Sequence, residues 1–190
     1  MRPISLKSFT TFAAIAAALT LAACGNKETV IHHAETEGIY VNAGNLKYQV
    51  QISRILNPGA IAEDRTFLDG VPESAADLAP EERWFAVFIR IENETDEPQV
   101  PTTMFELEDQ QGHVYEPVEV GEANPFYWDT DPIRPHGYAP GPDTIARQIG
   151  SVGGMLRLFK VPTTALDNRP VELIIRTVSP QDEATIDIDV

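Results

Sequence analysis

WFAVFIRIEN, residues 84–93, is the longest strongly apolar stretch after the N-terminal segment of this 190-residue chain. Alternate side chains of an extended strand point to opposite faces. Here four apolar side chains share one face, and three others make the beginning of the second face apolar as well. The first set is Phe85, Val87, Ile89 and Ile91, and the second is Trp84, Ala86 and Phe88. The stretch therefore predicts the central strand of a β-sandwich, buried on both sides.

Shorter strand patterns lie on both sides of this stretch, with turn residues between them. In residues 46–56 the apolar side chains alternate with polar ones, which predicts one buried face made by Leu46, Tyr48, Val50 and Ile52. The other predicted strands are Ile39–Val41, the hairpin of Met104–Glu108 with Val114–Pro117, Met155–Val161, Val171–Val178 and Ala184–Val190. Residues 73–78 could form one or two helical turns. The pattern predicts an all-β sandwich of about eight strands with little or no helix.

The composition narrows the choice of partners. The formal net charge is −15, and a surface this acidic repels nucleic-acid phosphates and anionic lipid headgroups. We therefore predict no nucleic-acid partner. Cys24 is the only cysteine, so the chain cannot form an intramolecular disulfide.

The N-terminal segment predicts export and lipid attachment. Arg2 and Lys7 precede an apolar run over residues 9–21, which is too short to span a membrane and is typical of a secretory signal. The run ends in Leu-Ala-Ala-Cys and closely resembles a bacterial lipoprotein signal. That resemblance implies a signal peptide over residues 1–23, a diacylglycerol on Cys24, a flexible tether over residues 24–37 and a domain over residues 38–190. The alternative is an ordinary secretory signal with a chance cysteine.

The domain also resembles a known family. The matching residues are Trp84–Asn93, Pro98, Phe105–Asp109, Gly112, Tyr115, Pro140-Gly141 and Leu156–Pro162, within residues 38–178. They are similar to the immunoglobulin-like domain of a widespread family of bacterial envelope lipoproteins, which has no known function and is related to a secreted mycobacterial antigen. The resemblance implies an immunoglobulin-like β-sandwich at the cell envelope and brings no catalytic residues.

The sequence offers little support for catalysis. Ser151 lies in Gly-Ser-Val-Gly-Gly, which is not the Gly-x-Ser-x-Gly elbow of a serine hydrolase. His113 lies in a hairpin turn and His136 in a proline-rich loop, so both are expected to be exposed. His32 and His33 fall in the tether without a further ligand at metal-binding spacing. We predict a protein that is not an enzyme and has no cofactor.

Clustered carboxylates are candidate ligands for calcium. They are Glu92, Glu94, Asp96 and Glu97 at one turn, Glu106, Glu108 and Asp109 near the next, and Asp129 and Asp131 in a later loop. Calcium takes roughly six to eight oxygen ligands, yet the chain has no Asp-x-Asp-x-Asp-Gly loop. Solvated acidic faces are therefore the favoured interpretation, and no metal site is predicted.

The loop of residues 123–143 is the candidate partner-binding segment. It carries Phe126, Tyr127, Trp128, Arg134 and Tyr138 among five prolines. Three successive aromatic side chains cannot all point inward from an extended segment, and Trp, Tyr and Arg are frequent anchors of interfaces. The alternative is that these rings only cap an open end of the sandwich.

Together these features predict a lipid-anchored, extracytoplasmic immunoglobulin-like protein that acts as a binding or structural module at the cell envelope. The membrane is reached through the lipid, and an envelope protein is the expected partner. The alternative function is a solute- or calcium-binding lipoprotein that hands its cargo to a membrane partner.

Overall fold

The computed structural model describes residues 30–148 and 152–189. The predicted signal peptide, residues 1–23, and the predicted lipidation site, Cys24, lie outside the described residues, as does Ser151. Within the described ranges the chain forms two β-sheets with a few short helices, which confirms the predicted all-β sandwich. No helix in these ranges has the length and apolarity needed to cross a membrane.

The five-stranded sheet, called sheet A, has the order β1-β11-β10-β5-β6. The six-stranded sheet, called sheet B, has the order β2-β3-β4-β9-β7, and β8 pairs with the end of β4. The strands are β1 (His33–Ala34), β2 (Tyr40–Ala43), β3 (Leu46–Ile55), β4 (Glu82–Asn93), β5 (Met104–Glu108), β6 (Val114–Tyr115), β7 (Pro117–Val118), β8 (Gly137–Ala139), β9 (Met155–Pro162), β10 (Val171–Val178) and β11 (Gln181–Ile188). The helices are α1 (Ala62–Thr66), α2 (Glu73–Ala76), α3 (Ile145–Gln148) and α4 (Thr163–Asp167).

β4 lies between β3 and β9 and is buried on both faces, as predicted. One face packs between the two sheets, in an apolar cluster that we call the inner core. It includes Phe85, Val87, Ile89 and Ile91 of β4, with Leu173, Ile175, Ile186 and Ile188 of sheet A. The other face packs in a second apolar cluster, the outer cluster, which includes Trp84, Ala86 and Phe88 together with Phe67, Phe126 and Leu156. A single strand thus supplies side chains to both hydrophobic clusters.

A β-bulge in β3 changes one predicted position. The register shifts between Val50, which is opposite Ile89, and Ile52, which is opposite Phe88. Because the bulge adds one residue, Ile52 moves from the face of Leu46, Tyr48 and Val50 to the outer cluster. The prediction that Ile52 shares their buried face was therefore wrong.

Two residues of the predicted tether, residues 24–37, belong to sheet A. His33 and Ala34 form β1, which pairs in parallel with β11. The amide of Thr185 donates to the carbonyl oxygen of His32 at 2.8 Å, and the amide of Asn42 donates to that of Ile31 at 2.6 Å. The last part of the predicted tether is thus a strand at the edge of sheet A. The polar residues around it hid the strand, although the Ala34 side chain is buried in the inner core.

The long connection between β3 and β4 covers the outer face of sheet B. It contains α1, and α2 lies where one or two helical turns are predicted. The Phe67 ring packs edge-on against Phe88 and Phe126, with centroids 4.8 and 5.0 Å away. The buried Asp64 carboxylate pairs with Arg54 and accepts a hydrogen bond from the Asn57 amide at 2.6 Å. Through Phe67, the connection is therefore part of the outer cluster. This explains why β4 is buried on both faces.

The predicted second hairpin strand, Val114–Pro117, is divided between the two sheets. β6 pairs with β5 in sheet A, whereas β7 pairs with β9 in sheet B. The turn before β6 is built on the buried Asp109 carboxylate. It accepts hydrogen bonds from the amides of Gln111 and His113 and from the Tyr115 hydroxyl, at 2.8–3.0 Å.

The Asp109 turn makes stability depend on pH. Burial raises the pKa of Asp109, but the hydrogen bonds from His113, Tyr115 and Gln111 outweigh burial and lower the pKa from 3.8 to about 2. The ionised carboxylate therefore stabilises the fold fully above the unfolded-state pKa, and this contribution is lost as the pH falls towards 2.

We expect Asp109→Asn to lower the free energy of unfolding by about 2 kcal/mol at neutral pH, measured by urea denaturation. The difference from wild type should shrink as the pH falls below about 4. Glu116→Gln, at a neighbouring exposed position, is the control and should change little. A difference for Asp109→Asn that is the same at acid and neutral pH would contradict this account of the turn.

Candidate functional site

A groove of about 690 Å³ lies at one edge of sheet B, where the partner of β4 changes from β9 to β8. Met155 of β9 is opposite Ile89, and Ala139 of β8 is opposite Ile91, so the groove lies against the gap between β8 and β9. One side is made by residues 125–134 and the other by residues 138–147. We call this cavity the 125–147 groove; it coincides with the loop predicted to bind a partner.

Trp128 belongs to the inner core and is 7% exposed. Its ring packs edge-on against Phe105, with centroids 4.8 Å apart, and its Nε1 donates to the Thr102 carbonyl oxygen at 3.0 Å. The guanidinium of the buried Arg157 lies 4.3 Å from the centre of the Trp128 ring and pairs with Glu119 at the surface. Trp128 is buried and held by these contacts, and it is therefore not available to a partner in this conformation.

Phe126 is buried in the outer cluster, against Phe67 and Phe88. The backbone around it is held by Asn124, whose buried side-chain amide donates to the carbonyl oxygens of Thr66, Phe67 and Asp69. The loop thus crosses the edge of sheet B and places one ring in each hydrophobic cluster. Phe126, like Trp128, is not available to a partner.

Tyr127, Arg134 and Tyr138 line the groove. Tyr127 is partly exposed between the two buried rings, and Tyr138 is 48% exposed on β8. The negative charge of Asp129, then burial and the charges of Glu122 and Asp131, raise the pKa of Tyr127, so its hydroxyl stays a hydrogen-bond donor at neutral pH. The structure thus separates the five predicted residues into two core rings and three groove residues.

Asn93, the last residue of β4, positions the wall that carries Arg134. It continues the inward-facing series of β4, and its buried side-chain amide donates to the carbonyl oxygens of Ile133 and Arg134 at 2.9 and 3.1 Å. Gly137 leaves room for the Arg134 side chain, since a Cβ there would lie 2.6 Å from Arg134 Cγ. Asn93 was missed as a site residue, although a polar side chain on a core-facing position is the signal that could have found it.

The groove carries charges of both signs. Its lining residues include two arginines, Arg134 and Arg147, and three aspartates, Asp129, Asp131 and Asp143. Among the described residues, neither Arg134 nor Arg147 forms an ion pair with a carboxylate. The lining of the groove therefore includes two arginines in a strongly acidic domain.

Each of the two loop histidines lies within hydrogen-bonding distance of a carboxylate. His113 Nδ1 lies 3.0 Å from Asp109, and His136 Nε2 lies 3.1 Å from Asp96. Both imidazoles are largely exposed, and in the described part of the chain neither hydrogen-bonds to a serine or cysteine. These pairs lack the nucleophile of a catalytic triad. That the protein is not an enzyme stays a prediction.

The acidic turns do not converge on one point. Glu94 pairs with Lys47, Asp96 with His136 and Glu106 with Arg176, while Asp129 accepts a hydrogen bond from the Asp131 amide. Calcium needs several oxygens directed at one centre. The predicted absence of a calcium site at these turns is untested and stays a prediction.

Similarity to known proteins is confined to the fold. No family model and no curated protein matches the chain. The yjhA protein from Bacillus subtilis has a TM-score of 0.52 and 11% sequence identity, covering 82% of this chain and 99% of its own. The ycdA protein from the same organism, described as a candidate lipoprotein, has a TM-score of 0.49 and 12% identity, covering 82% of this chain and 39% of its own. An uncharacterised β-sandwich protein from Clostridium difficile has a TM-score of 0.44 and 13% identity, covering 86% of this chain and 98% of its own.

The likeness to yjhA concerns the fold alone, and the two sheets of the structure place the chain in the β-sandwich class. The predicted link to the mycobacterial antigen family stays a prediction.

Two aromatic substitutions should separate core from groove. Trp128→Ala should lower the free energy of unfolding by about 3–5 kcal/mol, because it leaves a cavity beside Phe105 and removes the ring over Arg157. Tyr138→Ala removes a half-exposed ring and should cost no more than about 0.5 kcal/mol. Chemical denaturation of both variants measures the difference, and equal costs would contradict the assignment of these rings.

Proposed function

We propose that this chain is a lipid-anchored, extracytoplasmic β-sandwich protein that binds an extended segment of an envelope protein in the 125–147 groove. It acts by binding and carries out no catalysis. The observation that supports this most is that a groove lined by Tyr127, Arg134 and Tyr138 adjoins β8, which among the described residues pairs along one edge only.

The anchoring step rests on the sequence. The basic start, the short apolar run and Leu-Ala-Ala-Cys24 have the order of a lipoprotein signal. More than one acyl chain on Cys24 gives stable attachment, where a single chain is marginal. Anchoring by lipid also fits the acidic domain, since its charge opposes adhesion to anionic headgroups.

Lipid attachment predicts a specific failure when Cys24 is changed. Cys24→Ala should give either a soluble secreted protein or an unprocessed precursor, whereas the wild type should partition into the membrane fraction with a lipid mass on Cys24. Fractionation followed by mass spectrometry measures both. A wild-type protein in the soluble fraction with a free Cys24 thiol would overturn this step.

The proposed mode of binding is the addition of a strand of the partner to the edge of β8. Among the described residues, β8 pairs only with β4, so the other edge of β8 is unpaired. Extended segments commonly bind by adding a strand to such an edge. Tyr138 lies in β8 and projects at the surface. A partner segment along this edge would contact the groove directly.

The composition of the groove suits a protein segment. Pro125, Pro132, Pro140 and Pro142 restrict the backbone of the walls, so little conformational entropy is lost on binding. Tyr and Arg are frequent anchors of protein interfaces. Because both arginines and aspartates line the groove, it suits a polar segment that also carries both charges.

Site-specific photo-cross-linking in intact cells tests the groove. A photoreactive phenylalanine in place of Tyr138 should give a discrete cross-linked product with an envelope protein. The control is the same residue in place of Val114, which is 50% exposed but lies in β6 of the other sheet. We expect cross-linking at position 138 at least tenfold above that at position 114.

The second arm uses a substitution within the groove. Arg134→Ser should reduce the cross-link from position 138 without changing the melting temperature, since Arg134 is exposed. Equal cross-linking at positions 138 and 114, or no effect of Arg134→Ser, would contradict the proposal. The rings at this end of the sandwich would then only cap it and would bind no partner.

A further inference from the structure

His33, Glu172 and Asp187 lie together on the outer face of sheet A, whereas the 125–147 groove lies against sheet B. Each offers one ligand atom, and these atoms lie within 4.8 Å of one another. They come from three neighbouring strands, because β1 pairs with β11 and β11 with β10. Glu172 is directly opposite Asp187, and His33 is opposite Thr185, two residues before Asp187.

The carboxylates at this end of the sheet repel one another. Glu172 is opposite Asp187 on one side and opposite Glu108 on the other, which places three acidic residues in register on three strands. Like charges in directly opposite cross-strand positions are destabilising. Among the described residues no lysine or arginine forms an ion pair with any of the three; His33 Nδ1 lies 3.9 Å from Glu172 Oε1.

The same face of sheet A shows how the chain neutralises such a row elsewhere. Four residues further along β10, Arg176 lies opposite Glu183 and pairs with both Glu183 and Glu106. At the other end of β10 the equivalent central position is Glu172, an acid. Among the described residues, this row therefore has no arginine in the position that Arg176 takes in the other.

The donor atoms indicate which kind of cation the three side chains would hold. Imidazole nitrogen with carboxylate oxygens suits borderline divalent metals, and zinc binds both donor types. Calcium and magnesium favour all-oxygen sites. The Thr185 hydroxyl lies 2.8 Å from His33 Nδ1 and restrains the imidazole, which leaves Nε2 as the ring nitrogen for a metal.

We propose that His33, Glu172 and Asp187 form a surface site for a divalent transition-metal ion, with zinc as the best fit and water completing the coordination. Sequence spacing could not reveal it, because the carboxylates lie on the last two strands and the histidine on the first. The ion would join β1, a strand of two residues, to β10 and β11. It would thereby fix the point at which the N-terminal segment enters the domain.

Zinc binding to the full-length protein in detergent tests the proposal. Isothermal titration calorimetry with ZnCl₂ should show one site, and zinc should raise the melting temperature. His33→Asn and Asp187→Asn should each weaken zinc affinity at least tenfold. The matched control is His32→Asn, since His32 is the adjacent histidine, is similarly exposed and pairs with Asp182 instead. That variant should bind zinc like the wild type.

Glu172→Gln gives a readout that a purely structural role would not produce. It relieves repulsion in the acidic row, so the metal-free variant should melt at a higher temperature than the metal-free wild type. It also removes a ligand, so the rise caused by zinc should disappear. Hydrogen exchange should show that zinc protects the β1 amides of the wild type only.

Three results would overturn the proposal. They are no zinc-dependent stabilisation of the wild type, an equal loss of affinity in His32→Asn, and a zinc response that survives in Glu172→Gln.

Discussion

The burial of β4 on both faces is the constraint on which the rest of the structure depends. A sheet with one solvated face needs one apolar side, but Trp84, Ala86 and Phe88 also remove the second face from water. That face must be covered, and the chain covers it with the connection around Phe67 and with Phe126 from the later loop. Two segments far apart in sequence are thus held on one strand, because both bury apolar area against it.

Buried polar groups then determine the loop backbone positions that the apolar contacts do not determine. Asn93 ends β4 and holds the backbone at Ile133 and Arg134, and Asn124 holds the start of the same loop against the segment that carries Phe67. A buried amide that loses its partners is costly, so each side chain specifies one arrangement of the loop. The groove between residues 125 and 147 is therefore a consequence of how the central strand is covered and ended.

Much of the fold could be predicted from local patterns. Residues 84–93 indicate a doubly buried strand, and β10 has the bounds that alternation predicts. The bulge that moves Ile52 and the division of residues 114–118 between two sheets depend on pairing partners far along the chain. For the site, the sequence identified the loop and indicated that its three successive rings cannot all point inward. It could not say which rings turn inward, because that depends on Phe67, Phe105 and Arg157. The group of His33, Glu172 and Asp187 arises only when the first and last strands meet.

Native-state hydrogen exchange tests the role of β4 most directly. Amides deep in a structure exchange only when the whole domain unfolds, whereas peripheral ones exchange through smaller openings. If β4 holds both clusters together, the amides of residues 85–89 should exchange with a free energy equal to the global free energy of unfolding measured with denaturant. The account would be contradicted if these amides exchanged through openings of lower free energy than those of β10 and β11.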